Sequence, residues 1–288
     1  MGGIYMSIEL AALVPHTPRM CFEDKTPDFQ RELVKGMKRL SRIIERIEPD
    51  AVVLISCHWT SSFDHLIDAA PDHQGVLTAL ECPNLISDVP YSYPGDTELA
   101  LQLAEAGREG GLSVIPVNDP AYCWDYGTVV PLRYLVPKGD IPVIDLSVTL
   151  AANLEETHLW GRLAGRVLKE SRKKTVFISS GALSHHLVRG PECMPTLAEQ
   201  ALDAQFLTYL TDNDLLSAQQ MLPQYAKNAG LEAGGRHIAM LLGVLEDGCK
   251  STFYGYGQSS GSSNVVMAFE PAGQKARTHA FNEKDTVR

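Results

Sequence analysis

Two apolar runs that each end in a histidine constrain this chain more than any other feature. IELAALVPH (8–16) and AVVLISCHW (51–59) are short strand-like segments, and between them the apolar residues change period. Leu33, Met37, Leu40, Ile44 and Ile47 recur at helical spacing after Thr26 and Pro27, and Pro49 closes the segment. That pattern predicts a helix capped by Thr26 with proline at its first position. Strand, helix and strand thus set His16 and His58 at equivalent strand ends, the edge at which open α/β sheets bind ligands.

The alternation continues along the chain. A Pro/Gly/Asp-rich stretch through VPYSYPGD precedes a helix from about Thr97 to Gly107 and a strand around Ser113 to Val117. PVIDLSV and TVFISS read as further strands, separated by a helix from about Leu154 to Lys169. The region from about Leu197 to Leu245 reads as helical with a break near Lys227 to Gly235, and Asn264 to Phe269 as a last strand. The expected architecture is α/β, a single-domain αβα layered sandwich around a mostly parallel or mixed central sheet. Residues 1–270 form this domain, and 271–288 a polar tail without periodicity.

Composition removes several classes of partner. With 25 basic against 35 acidic residues, the net charge of −10 opposes binding to a polyphosphate backbone, so nucleic acid is not expected. Apolar runs such as Ala51–Ile55 fall far short of the roughly 18 residues that span a bilayer, and no basic-then-apolar leader opens the chain. Six cysteines (Cys21, Cys57, Cys82, Cys123, Cys193, Cys249) form no CxxC pair. They read as free thiols of a reducing compartment, and a soluble, cytoplasmic protein is expected.

Chemistry concentrates at four residues. His16, His58 and Glu232 make the two-imidazole, one-carboxylate set of a facial triad, and His185 closes the segment SSGALSHH. Each also has a plainer reading. A histidine at a strand end serves equally as a hydrogen-bonded polar cap, and Glu232, in a glycine-flanked break, reads as a first-turn acid facing a helix dipole. His185 reads either as a core cap or as a general acid/base, which its unperturbed pKa near 6.5 suits. His65, His73, His158, His237 and His279 show no convergent partner, although His237 lies close enough to Glu232 to approach the same pocket.

HTPRM near the start, CHW after a strand, DYGTVVPLRYL in the middle, SSGALSHH and EAGGRHIAMLLGVL occur together, in order, over about Ile8 to Phe269. In this the chain resembles the class III, LigB-type extradiol ring-cleaving dioxygenases, above all the homoprotocatechuate and aminophenol branches. The resemblance implies Fe(II) held by His16, His58 and Glu232, with His185 as catalytic acid/base. Many family members carry Asp-His where this chain reads Asp125-Tyr126. The departure makes the Tyr126 hydroxyl a candidate donor to oxygen or substrate, against the plainer reading of a buried tyrosine bonded to backbone.

The implied reaction inserts both atoms of O2 into a substituted catechol, with 3,4-dihydroxyphenylacetate as the lead substrate and an aminophenol as the alternative. A substrate carboxylate needs local positive charge, for which Arg19, Arg133, Arg189 and Arg236 are the candidates. The resemblance further implies a homo-oligomer or, on the aminophenol pattern, pairing with a non-catalytic homologous subunit. Two other readings of the same residues are a zinc hydrolase and a non-catalytic binding protein; metal content and oxygen uptake discriminate the first.

Overall fold

The computed structural model describes residues 8–272. Its strands are β1 (Ile8–Val14), β2 (Ala51–Ser61), β3 (His65–Asp68), β4 (Asp72–Leu77), β5 (Val89–Pro94), β6 (Val114–Val117), β7 (Val143–Thr149), β8 (Thr175–Ser180), β9 (Cys249–Ser259) and β10 (Ser262–Pro271). Its helices are α1 (Arg31–Ile47), α2 (Thr97–Glu109), α3 (Tyr126–Leu135), α4 (Leu154–Glu170), α5 (Leu197–Thr211), α6 (Leu215–Ala229) and α7 (Arg236–Val244). Eight strands form one sheet in the order β6-β3-β7-β2-β8-β1-β10-β9, and β4 pairs with β5 in a separate ribbon. The inner strands β7, β2, β8 and β1 are parallel, while β10 and β9 close one side antiparallel.

The near-continuous apolar runs have their explanation in the two faces of this sheet. Ala11 and Leu13 of β1 and Val53 and Ile55 of β2 enter one core with α2, α4, α5, α6 and α7. Their alternating neighbours Leu10, Ala12, Val14, Val52 and Leu54 enter the other, against α1 and α3. A strand buried on both sides has no polar face to display, so the period of two disappears from its hydropathy. The architecture is therefore the expected αβα sandwich around a mixed, mostly parallel sheet.

Several boundaries differ from the expectation. The helix after β1 starts at Arg31 behind a short 3-10 turn at Asp28–Gln30, so its N-cap is Gln30 rather than Thr26. Thr26 instead donates its hydroxyl to the Arg19 and Phe22 carbonyls, folding the loop below His16. VPYSYP is a strand, tolerated because the two-stranded ribbon gives proline a place without a donor. DYGTVVPLRYL is a helix despite Pro131, with Asp125 as its N-cap accepting from the Thr128 amide. The helical region divides twice, at Asp212–Asp214 as well as at Gly230–Gly235. Pro271 closes β10 and only Ala272 follows it; the rest of the expected polar tail and His279 lie outside the described residues. No described helix is long and apolar enough to cross a membrane.

Helices α4 and α7 meet backbone to backbone. A Cβ added to Gly161 would lie 2.1 Å from the Met240 carbonyl oxygen, and one added to Gly243 would lie 2.2 Å from that of His158. This crossing seats α7, which follows the loop that carries Glu232. Gly161→Ala should therefore separate the helices and cost about 1–3 kcal/mol of stability, read as a lower midpoint in chemical denaturation. An unchanged midpoint would contradict backbone contact at this crossing.

Candidate metal centre

The pairing of three parallel strands stops on one line. Val14 of β1 pairs with Ser180 of β8, and Ser180 pairs in turn with Ser56 of β2. His16 and His58 each lie two residues beyond that row, so register alone brings them to the same edge. The β2–β7 register shifts between Ser56 and Thr60, which places His58 within a local irregularity of a strand that runs on to Ser61. Such a break re-aims a side chain that a regular pleat would send elsewhere. The His16 and His58 rings pack edge to face with centroids 4.9 Å apart, and Tyr126, at the start of α3, covers both at 5.5 and 4.0 Å.

Glu232 arrives from the opposite side. After α6 the chain turns through Gly230, and Ala233, Gly234 and Gly235 then take positive φ values of 49°, 63° and 78° in succession. Glycine accepts that conformation without cost, whereas Ala233 holds strain immediately beside the carboxylate. The turn is fastened by Arg236, whose guanidinium donates to the carbonyls of Leu150, Ala152 and Ala233. It is also laced to the SSGALSHH segment: the Glu232 amide donates to the Leu183 carbonyl, the His185 amide donates to that of Ala229, and Glu232 Oε2 accepts from the Ala182 amide at 2.6 Å.

With Oε2 so occupied, Glu232 Oε1 faces His16 Nε2 at 3.1 Å, His58 Nε2 at 3.3 Å and His185 Nε2 at 3.7 Å. The ligand atoms of His16, His58 and Glu232 all lie within 4.8 Å of one another. The tautomer of His16 follows from its other nitrogen. Ser180 gives its one hydroxyl proton to the Gly127 carbonyl and therefore accepts from His16 Nδ1–H at 3.0 Å, so Nε2 is the nitrogen turned to Glu232. His58 Nε2 is buried without a hydrogen-bond partner. Two imidazole nitrogens and a carboxylate oxygen converging in this way repel one another unless a proton or a metal cation lies between them, and the set fits a divalent first-row ion with coordination positions left open.

Local electrostatics agree. Burial alone would raise the Glu232 carboxyl, yet His16, His58 and His185 hold it well below the usual carboxylate range. Burial pulls the His58 imidazole down, and Glu232 and Asp125 more than offset it, for a net upward shift. His185 is shifted down, first by burial and then by its histidine neighbours, against Glu232. Burial and the nearby carboxylates keep the Cys57 thiol protonated and unsuited as a ligand. His237, set aside in the sequence apart from its proximity to Glu232, lies fully buried beneath Gly181 with neither ring nitrogen paired, and burial pulls it down to about 4. It is not among the converging ligand atoms.

A cavity of about 350 Å³ opens over the centre, lined by His16, His58, Tyr126, His185 and Glu232. Of the four arginines singled out in the sequence, only Arg19 lines it. Arg133 donates to the Cys21 carbonyl and lies over the Phe22 ring, Arg189 is exposed outside the cavity, and Arg236 has spent its donors on backbone. The Tyr126 hydroxyl has no hydrogen-bond partner among the described residues, and burial raises its pKa. Sequence reasoning passed over Ser180, the Ala182 amide, and Ser56, which accepts from the His58 amide and donates to Asp125. The Ser-Ser-Gly end of β8 was the available signal for Ser180; nothing in the sequence marked Ser56.

The comparisons with known proteins meet this geometry. The family described as the catalytic LigB subunit of aromatic ring-opening dioxygenase matches residues 10–268. The chain belongs to the LigB family. It is 25% identical to a 3,4-dihydroxyphenylacetate 2,3-dioxygenase of Escherichia coli over 83% of this chain and 90% of that enzyme. It is also 25% identical to the 2-aminophenol 1,6-dioxygenase beta subunit of a Pseudomonas species, over 88% and 91% of the two chains. A crystal structure of an uncharacterized protein from Escherichia coli K12 superposes with a TM-score of 0.66 at 19% identity, covering 91% of this chain and 99% of that one, and so shares the fold. This LigB protein is an extradiol ring-cleavage dioxygenase, which removes the hydrolase and binding-protein readings.

Two outcomes follow for the centre. Glu232→Ala should lower divalent-metal affinity by more than about 100-fold, and Ser180→Ala by about 10–100-fold, as expected for a group that orients a ligand; calorimetric titration checks both. In metal-free protein the depressed Glu232 carboxyl contributes stability that is complete above its ordinary value of 4.5 and is lost as pH falls toward its folded value. Unfolding midpoints should therefore drop less steeply with acid in Glu232→Gln.

Proposed function

We propose that this protein is an Fe(II)-dependent extradiol dioxygenase acting on a catechol whose side chain carries a carboxylate, with 3,4-dihydroxyphenylacetate as the lead substrate. The observation that carries the substrate class is Arg19: it lines the cavity, half-buried, and its guanidinium has no hydrogen-bond or ion-pair partner among the described residues. A guanidinium in that state is suited to a bidentate carboxylate. Ferrous iron bound to His16, His58 and Glu232 would supply the redox chemistry, bringing diol and O2 together at its open positions.

The protein's own groups supply the proton chemistry. His185, shifted below the ordinary imidazole value by burial, is neutral at pH 7 and can take the proton of a substrate hydroxyl and return it to the product later in the reaction. Tyr126, kept protonated, offers a hydrogen bond across the cavity. Catechol and O2 together have the atoms of the ring-opened muconic semialdehyde, so no further reductant enters. Pairing with a second, homologous subunit fits the naming of the Pseudomonas relative as a beta subunit, and a homo-oligomer is the other assembly proposed.

Anaerobic loading with ferrous iron, followed by oxygen uptake and absorbance with a panel of catechols and aminophenols, tests this reading. The expected result is one O2 per 3,4-dihydroxyphenylacetate with a yellow product; preference for 2-aminophenol would move the assignment to that branch. Arg19→Gln should raise KM for 3,4-dihydroxyphenylacetate at least about tenfold, the loss of a charged hydrogen bond, and leave 4-methylcatechol nearly unchanged. His185→Ala should keep iron and lose about 10²–10⁴ in kcat. The acid limb of kcat/KM in the unmodified enzyme should lie below pH 6.5.

A further inference from the structure

His185 is a partly buried residue between two anchored neighbours, and both anchors come from one helix. Asp203 on α5 is 1% exposed, and every contact of its carboxylate is a donor: the Ser184 hydroxyl at 2.7 Å and the Tyr256 hydroxyl at 3.3 Å on Oδ2, the Tyr225 hydroxyl and the Ser184 amide on Oδ1. One turn earlier on the same face, Glu199 Oε1 binds His186 Nδ1 while its Oε2 accepts from the amide and hydroxyl of Thr196, the helix cap. Ser184 and His186 are the residues immediately before and after His185. The i, i+4 spacing of Glu199 and Asp203 matches this placement, since residues four apart share a helix face.

No lysine or arginine pairs with either carboxylate among the described residues. Burying a carboxylate without a cation is costly unless donors surround it, and a helix could be held to this sheet by apolar contacts alone. The rest of the segment is also held: the Leu183 amide donates to the Ser263 carbonyl, the Ser263 amide donates to the Ser184 carbonyl, and a Cβ on Gly230 would strike the His186 ring at 2.1 Å. The His185 side chain itself has no partner beyond its 3.7 Å approach to Glu232.

We propose that Glu199 and Asp203 form a two-carboxylate clamp that positions His185 by fixing the residues on either side of it, so that its free imidazole keeps its place over the metal centre. The clamp touches neither substrate nor ligands and acts through His185 alone, and its catalytic consequence rests on the acid/base reading of that residue. A displacement of about 1 Å in such a group is enough to cost on the order of 100-fold in rate.

The test combines D203N and E199Q, with Tyr225→Phe as a milder variant that removes one donor to Asp203 should D203N fail to fold. Each should lower kcat roughly ten- to hundredfold while KM and bound metal stay within about twofold, and in the His185→Ala background none should lower the residual rate further. A full, multiplicative loss in that background, or a change in KM or metal with kcat intact, would overturn the clamp. A second readout needs no turnover: in histidine-labelled protein without added metal, the His185 ring resonances should broaden or double in the variants. Unchanged His185 resonances would overturn the proposal even if the unmodified protein cleaved no ring, an outcome that would by itself count only against the proposed reaction.

Discussion

A single carboxylate, committed at one oxygen and free at the other, is the interaction on which the rest depends. Glu232 Oε2 is taken by the Ala182 amide, so Oε1 has one direction in which to point, and both His16 and His58 lie along it. The Ala182 amide is available because β8 ends at Ser180 and the chain turns out of the sheet there. The same turn presents Ser180 to His16 from below and His185 to the centre from above. Thus one strand end orients His16, Glu232 and His185, while the break in β2 supplies His58.

The site is built where like groups would otherwise repel. Parallel strands in register bring two imidazoles to one row, and a strained left-handed turn presses a carboxylate onto them. Close helix crossing at Gly161 and Gly243 and the guanidinium of Arg236 hold that turn in place. Local strain and converging lone pairs are tolerated because the surrounding packing over-determines the backbone. A cation held between them would relieve that repulsion.

Much of the fold was legible because its signals are local. β1, β2, β7 and β8 announce themselves as apolar runs, and α2 and α4 as periodic segments whose boundaries fall within a residue or two of expectation. The misreadings have physical causes. Thr26 has a capping side chain but spends it on loop carbonyls, proline in β5 and α3 is tolerated by context, and the buried positions of β9 that alternate, Gly255, Gly257 and Ser259, carry no apolar side chain to reveal the period. At the site, the two strand-end histidines could be read from pattern. Glu232 is marked by the family resemblance and not by local pattern, since its direction depends on an amide fifty residues away in sequence and on a turn of three positive φ values. The arginines show the same limit: proximity in sequence to a motif says nothing of whether a guanidinium has already been spent on backbone, as that of Arg236 has.

The most direct measurement of the central claim is anomalous diffraction at the iron edge from crystals loaded anaerobically with ferrous ion. One strong peak is expected at bonding distance, about 2.0–2.2 Å as for other divalent ions, from His16 Nε2, His58 Nε2 and Glu232 Oε1, with His185 outside that shell. A peak elsewhere, or one bonded to His185 or His237 in place of any of the three, would contradict the claim.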